Sequence, residues 1–337
     1  MINKLKELCA LSGIPGCEDE VRDYIVDRAK KYTDDIIVDV MGNVIVYKKG
    51  DKTPKEKLVL CAHMDEVGVI ITGITDDGYL KFSNAGGIDS RVVLGKAVLI
   101  GKSKIRGIIG CKAIHIVKEK DRERPMEFDE MYIDIGLGSR EEAEKIVSLG
   151  DAGVFDEDIH EFGNGYIKAK AIDDRLGCAV LLELIEKDLP VDCTFVFTVQ
   201  EEVGLRGAYT AAYSTKPDVA LIVEGTTAAD LPSVHESKKV CKVGNGPVIP
   251  FMDTGTIYNK EIRSVLTDLA DENNIQWQTK TYVAGSTDAS AFHKSRSGIK
   301  TAAIAAPIRN LHSPACVGKA SDMEAVLKLV RLFLSNL

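Results

Sequence analysis

CTFVFTVQEEVGLRGAYTAAY (residues 193–213) opens with an apolar run, closes with a helical pattern, and sets two adjacent carboxylates, Glu201 and Glu202, between them. A run such as CTFVFTV, apolar at consecutive rather than alternate positions, reads as a strand buried on both faces. A buried strand feeding a helix is half of an α/β unit. In open α/β sheets the ligand site lies outside the carboxyl ends of the strands. What each buried run ends in therefore becomes the question that the rest of the chain must answer.

Outward from this stretch the same alternation recurs. YIKAKAIDD (166–174) precedes the helix RLGCAVLLELIEK, and VALIVEG (219–225) precedes a loop. NKEIRSVLTDLADENN, IQWQTKTYV, TDASAFHKS, KTAAIAAPI and SDMEAVLKLVRLFLSNL continue the strand and helix pattern to residue 337. At the other end, two amphipathic helices come first, the second around Val21, Tyr24, Ile25 and Ala29. DDIIVDVMGNVIVYKKG (34–50) then reads as two β arms around a Met-Gly-Asn turn, and KLVLCAHMD (57–65) as a buried strand running into polar residues. Between them, from about Val67 to Gly163, short β-prone runs such as VGVIITGI, IRGIIGC and AIHIVK follow one another with little helix. Only SREEAEKIVSLG (139–150), with Ser139 as N-cap, reads as helical there. The expected architecture is an α/β domain with a mixed sheet sandwiched by helices, made of residues 1–66 and 164–337. A β-rich insert at 67–163 interrupts it.

The composition narrows the function classes. A formal net charge of -8 and the lack of a Lys/Arg block argue against nucleic acid, the Lys118–Arg124 run being interleaved with acids and read as solvated loop. No stretch approaches the roughly 18 consecutive apolar residues of a membrane span, and no secretory h-region opens the chain, so a cytoplasmic location is expected. The 8 cysteines are scattered without a C-x-x-C pair and are expected to be reduced.

The strand ends carry the chemistry. LVLCA ends in His63-Met64-Asp65-Glu66, IKAKAI in Asp173-Asp174, FVFTVQ in Glu201-Glu202, VALIV in Glu224, and TAAIAAPIRN in His312-Ser313-Pro314. Singly, each acid could be a helix N-cap and each histidine a packed, hydrogen-bonded side chain. Together they converge on what can be one place, and converging carboxylates repel unless a cation sits among them. Histidines with carboxylates and no thiolate suit zinc, cobalt or manganese better than calcium or magnesium. The donors outnumber what one tetrahedral ion needs; two ions about 3.5–4 Å apart, sharing a carboxylate, would use them all. Where a strand breaks into a loop, two neighbouring glutamates can face one pocket, so one can bind metal while the other takes a proton from the attacking water.

The motifs AHMDEVG, AIDDRLGCAVL, TVQEEVGLRGA, GSTDAS and LHSP, in this order and with a β-rich insert after the first, closely resemble the dinuclear aminopeptidases of the glutamyl and deblocking aminopeptidase family. That family includes the tetrahedral TET peptidases and proteins labelled cellulase M. The resemblance spans nearly the whole chain. It implies that His63 and Glu224 bind one divalent ion, Glu202 and His312 the other, and that Asp173 bridges them. It further implies Asp65 as the carboxylate orienting His63 and Glu201 as general base, in hydrolysis of N-terminal residues from peptides. Glu224 departs from the commonest form, in which Asp stands at this position; the extra methylene still permits ligation. The family's insert is a β-barrel-like dimerisation domain, and relatives assemble into dodecamers, so a homo-oligomer is implied. Two residues are carried as substrate candidates. Arg206 either lines the specificity pocket or pairs on the surface, and Asp288 either caps the TDASAFHKS helix or stands beside the site.

Two other functions compete. An endo-β-1,4-glucanase also works with paired carboxylates, but it needs no histidine ligands and its cleft is usually rich in aromatics, which here are 6% with a single tryptophan. A catalytically silent, metal-stabilised scaffold would not need a base beside its ligands.

Overall fold

The computed structural model describes residues 1–119 and 123–337, so the middle of the Lys118–Arg124 run lies outside the described residues. Helices α1 (Ile2–Cys9) and α2 (Asp19–Ala29) lead into the antiparallel pair β1 (Ile36–Val38) and β2 (Val44–Lys48), then into β3 (Leu58–His63). There follow β4 (Gly68–Ile74), β5 (Leu80–Ala85), β6 (Ala97–Ile100), β7 (Ile105–Cys111) and β8 (Met131–Asp134), one helical turn α3 (Arg140–Ala143), and β9 (Ala152–Phe155). The remainder runs β10 (His160–Phe162), β11 (Tyr166–Ala169), α4 (Ile172–Ile185), β12 (Cys193–Thr198), α5 (Arg206–Thr215) and β13 (Val219–Thr227). It ends with α6 (Lys260–Glu272), α7 (Ala289–His293), β14 (Lys300–Ile308), β15 (Cys316–Lys319) and α8 (Ala320–Asn336).

The central sheet is 6-stranded and mixed, in the order β1-β2-β12-β3-β13-β14. β12, β3, β13 and β14 are mutually parallel, and β2 joins β12 antiparallel. Successive residues of β3 face opposite sides: Leu58, Leu60 and Ala62 pack into one core with Leu8, Leu176, Val180 and Val330, whereas Val59 and Cys61 pack into another with Ala208, Ala211 and Phe292. Helices therefore cover both faces of the sheet, which is why its strands are apolar at consecutive positions. Each fully buried side chain of this size contributes about 1.5–3 kcal/mol relative to exposure.

β4, β5, β8, β7, β6 and β9 close into a barrel around Val69, Ile71, Phe82, Val98, Ile100 and Ile133, a core separate from that of the sheet. Closure leaves these strands no free edge.

Several sequence expectations are corrected. IKAKAI is not a strand of the central sheet; β11 pairs antiparallel with β10 and β15 in a separate 3-stranded sheet. Its alternation of partly exposed Tyr166 and Lys168 with buried Ile167 and Ala169 is that of a strand with one wet face. AIHIVK forms a 3₁₀ turn at Ile114–Ile116 rather than a strand, and Ile114 stays 65% exposed. Among the described residues IQWQTKTYV contributes only a bridge between Val248 and Gln278, and by Thr281 its backbone has turned to another partner, the Val240 carbonyl. SREEAEKIVSLG is helical only over Arg140–Ala143, although Ser139 does cap it by accepting from the Glu142 N–H. Among the described residues no helix is long and apolar enough to cross a membrane.

Candidate metal centre

The exit of β12 explains how two adjacent glutamates reach one pocket. After Val199 the backbone folds back on itself: the Leu205 N–H donates to the Glu201 carbonyl (2.9 Å), Arg206 to Gln200 (3.1 Å) and Gly207 to Val199 (3.0 Å). Gln200 and Leu205 are left-handed, and Gly204 has φ 114, a conformation that favours glycine. One carboxylate fastens this turn. The Glu201 N–H donates to Asp65 Oδ1 (2.9 Å) and the Glu202 N–H to Asp65 Oδ2 (3.0 Å), charge-assisted bonds made by a fully buried acid. Glu18, also buried, accepts from the Gln200 N–H (3.1 Å).

Asp65 reaches His63 chiefly through its backbone. His63 Nδ1 lies 3.1 Å from the Asp65 carbonyl oxygen and 3.6 Å from Oδ1, so the carbonyl fixes the ring and leaves Nε2 facing the cluster. The neighbouring Glu66 is spent elsewhere, on Lys170 and on Arg175, which holds the first turn of α4 against the Leu8 carbonyl.

The two aspartates opening α4 part company. Asp173 (φ -84, ψ 114) and Asp174 (φ -117, ψ 41) are not helical, and the peptide bond between them is cis. Asp174 points into the protein, accepting from the N–H groups of His63 (3.2 Å) and Gly177 (2.9 Å). Asp173 faces the other histidines: Oδ1 is 3.6 Å from His63 Nε2, and Oδ2 is 3.6 Å from His312 Nε2. A Cβ on Gly225 would lie 2.8 Å from Asp173 Oδ1, so this approach of strand to carboxylate requires glycine.

Glu224 does not end its strand as the sequence reading had it, because β13 stays paired with β14 as far as Thr227. The glutamate projects from within the strand and puts Oε1 3.8 Å from His63 Nε2. His312 follows β14, donates from Nδ1 to the Gly87 carbonyl (3.0 Å), and places Nε2 3.2 Å from Glu202 Oε2. Its side chain is 34% exposed while those of His63 and Glu202 are 2% and 4%, so the cluster opens to solvent on the His312 side.

The residues fit divalent cations. With ligand bonds of 2.0–2.2 Å, two donors of a tetrahedral ion stand about 3.4 Å apart. The nitrogen–oxygen separations of 3.2–3.8 Å are of that size, and most are too long for good hydrogen bonds. Asp173 Oδ1 and Glu224 Oε2 are buried and, among the described residues, have no hydrogen-bond partner. His63, Asp173 and Glu202 bring ligand atoms within 4.8 Å of one another, as do His63, Glu201 and Glu224. Without a cation the cluster balances itself with protons. Burial, opposed by His312 and reinforced by Asp173, pushes the Glu202 carboxyl up to about 7, and burial also raises those of Glu201 and Glu224 well above the usual range. Burial works against a charged His312, yet Asp173 and Glu202 lift it to about 9.

The two substrate candidates lie differently. Arg206 is exposed at the start of α5, with Gln200 Oε1 3.5 Å away. Asp288 is 1% exposed and does not cap α7; its Oδ2 accepts from Thr198 Oγ1 (2.5 Å) and lies 3.7 Å from Cys61 Sγ, behind the sheet's end. Sequence reasoning missed Glu18 and Asn43, which holds the Val199 N–H (3.0 Å) and the Gly207 carbonyl (3.0 Å). Nothing in their local sequence marks them, since each acts on a turn more than 150 residues away.

Residues 42–329 match the M42 glutamyl aminopeptidase family, a span that contains every residue of this cluster. The chain belongs to that family. Among M42 relatives, a protein of Acetivibrio thermocellus provisionally named an aminopeptidase is 40% identical over 98% of this chain and 97% of its own. The lysyl aminopeptidase of Pyrococcus furiosus is 30% identical, with 99% and 96% covered. The structure of the Pyrococcus horikoshii TET1 peptidase, which can assemble into a tetrahedron or a large octahedral shell, superposes with a TM-score of 0.87 at 34% identity, covering 100% of this chain and 99% of that one. The M42 fold, an α/β domain with a closed barrel, is thus shared along the full length.

Proposed function

We propose that this M42 protein is a dinuclear metalloaminopeptidase. His63 and Glu224 would hold one ion and Glu202 and His312 the other, with Asp173 able to serve both. The observation that carries this reading is the Asp173 carboxylate, which turns one oxygen to each histidine at 3.6 Å. Zinc, cobalt or manganese bound there would supply Lewis-acid polarisation of the scissile carbonyl and a water that loses its proton near neutrality. Glu201, unneeded as a ligand in this scheme, takes that proton on a side-chain oxygen and returns it to the leaving amine. Asp65 positions both glutamates through their backbone amides. The assignment of ligand to Glu202 and base to Glu201 follows the family resemblance and the closeness of Glu202 to His312.

Residues 1–66 and 164–337 form the catalytic domain in this proposal, and 67–163 the dimerisation domain from which a dodecamer is built. The assembly of the P. horikoshii relative supports it. A cytoplasmic enzyme suits its free cysteines. Native mass spectrometry is expected to read twelve copies of the 36.7 kDa chain, and a monomer at assay concentration would rule the assembly out.

The catalytic reading is tested by stripping metal, restoring zinc, cobalt or manganese in turn, and assaying aminoacyl-p-nitroanilides beside carboxymethylcellulose. Metal-dependent release of amino acids without sugar cleavage is expected. Sugar cleavage that persists in chelator would replace the peptidase by a glucanase, whose carboxylate chemistry needs no metal.

A further inference from the structure

Membership of the family leaves the preferred N-terminal residue open: the family is named for glutamyl release, while the P. furiosus relative is a lysyl aminopeptidase. The cavity beside the candidate centre carries its own discriminator. Asp173, Glu201 and Glu224 line it together with Lys280, which is 7% exposed. Lys280 Nζ donates to the Ala284 carbonyl at 3.3 Å and, among the described residues, has no ion-pair partner. An ammonium has three protons to donate, and a buried one bonded only to a carbonyl leaves donors unspent. His312, one of the proposed metal ligands, also lines the cavity, and the remaining walls, such as Thr226, Val240, Ser286 and Leu311, carry no charge.

The backbone under Lys280 is held from both sides. The Ile249 N–H donates to the Gln278 carbonyl (2.8 Å), and Thr279 Oγ1 donates to the Ile249 carbonyl (2.9 Å). Beyond it, the Thr281 N–H donates to the Val240 carbonyl (3.0 Å) and Thr281 Oγ1 to the Lys239 carbonyl (2.6 Å). A cation so fixed is preorganised for one ligand group rather than free to swing into solvent.

We propose that Lys280 is a specificity-determining residue that receives the side-chain carboxylate of an acidic N-terminal residue, aspartate or glutamate, of the peptide substrate. The proposal rests on the aminopeptidase reading above. The cavity holding Lys280 also holds Glu201 and Asp173, so a group reaching the lysine belongs to the residue whose carbonyl is attacked. A bound carboxylate would pair directly with the ammonium, which the cavity's own carboxylates, turned to the metal centre, do not, and would take up its unspent protons.

The test compares kcat/KM for glutamyl-, aspartyl-, leucyl- and lysyl-methylcoumarylamide in the cobalt-loaded full-length enzyme and its Lys280→Met and Lys280→Arg variants. Wild type is expected to favour the acidic substrates. Lys280→Met should lower the glutamyl-to-leucyl ratio roughly 10- to 100-fold, the worth of a charged hydrogen bond, chiefly through KM, and Lys280→Arg should keep most of the preference. The ratio is internal to one preparation, so partial misfolding of a variant does not move it. An unchanged ratio in Lys280→Met, or a wild type preferring leucyl or lysyl substrates, overturns the assignment while leaving the aminopeptidase intact. These substrates lack a C-terminal carboxylate, so a lysine serving a dipeptide's C-terminus would likewise give the unchanged ratio. Turnover of no substrate by wild type overturns the aminopeptidase reading and this proposal with it.

Discussion

Glu201→Gln is expected to lower kcat by about two to four powers of ten while two divalent ions per chain still bind. The loss corresponds to about 2.7–5.4 kcal/mol of barrier, the size of one general acid–base contribution. Glutamine keeps the volume of the side chain and can still accept a hydrogen bond, but it cannot take the proton of the attacking water. The turn that presents residue 201 should survive, because Asp65 and Gln200 hold its backbone and no hydrogen bond of the turn uses the Glu201 side chain. Burial holds the Glu201 carboxyl well above the usual range; His63 opposes this, and Asp288, Glu202 and Asp65 add to it. Its pKa is raised, so the carboxylate form is the disfavoured one in the cluster, and the ion-free variant should be no less stable than ion-free wild type near neutral pH. The measurement is steady-state kcat on the preferred aminoacyl substrate with metal content by elemental analysis on the same sample. Undiminished turnover would move the base elsewhere. Loss of one ion would make Glu201 a ligand, which its grouping with His63 and Glu224 allows. A silent scaffold would show neither change, having no turnover to lose.

The strand-end rule located this chemistry because it depends on local sequence: an apolar run says where a strand stops, and the next residues are what the sheet presents. It worked for His63 and the Glu201-Glu202 pair, whose strands β3 and β12 lie side by side with Thr198 paired to His63. It misplaced Asp173 and Glu224 in detail. Asp173 is delivered by the distorted first turn of α4 rather than by a strand of the main sheet, and Glu224 by the middle of β13. Both still reach the cluster, because α4 crosses directly against β3 and β13, a contact set by hydrophobic packing that no single segment reveals. Asp288 shows the opposite failure. An acid before a short helix reads as an N-cap, yet its carboxylate turns to Thr198, a hydroxyl that the sequence places 90 residues away. Lys280 carries no local mark for the same reason: only the pairing of its segment with residues 239–249 encloses it.

Asp173→Asn is expected to empty both metal positions, taking stoichiometry from two ions to fewer than one and activity to the chelated background, whereas His312→Ala should weaken one ion only. The difference lies in what each side chain offers. A carboxylate presents lone pairs from both oxygens, and here Oδ1 and Oδ2 stand at equal distance from the two histidines. An amide of the same shape presents one oxygen and one NH₂ group, whose protons would point at one of the ions. It also removes the charge that is held below the ordinary carboxylate range, against its burial, by His312 and His63. Stability should follow occupancy. An ion present at a thousand times its dissociation constant stabilises the fold by about 4.1 kcal/mol, so wild type should melt markedly higher with zinc or cobalt than in chelator, and Asp173→Asn should melt at nearly the same temperature in both. In chelator the variant loses the carboxylate that pairs with His63 and His312, whose depressed pKa stabilises the fold above the ordinary carboxylate range, so near neutral pH it should be the less stable of the two proteins. Calorimetric melting with and without metal, read beside the ion count, separates the possibilities. Two ions retained by Asp173→Asn would mean that the sites are independent and that His63 with Glu224, and His312 with Glu202, suffice without a bridge. A single tightly held ion would place Asp173 in one site only, and the equal spacing of its oxygens would then reflect ion pairing with protonated histidines rather than a shared ligand.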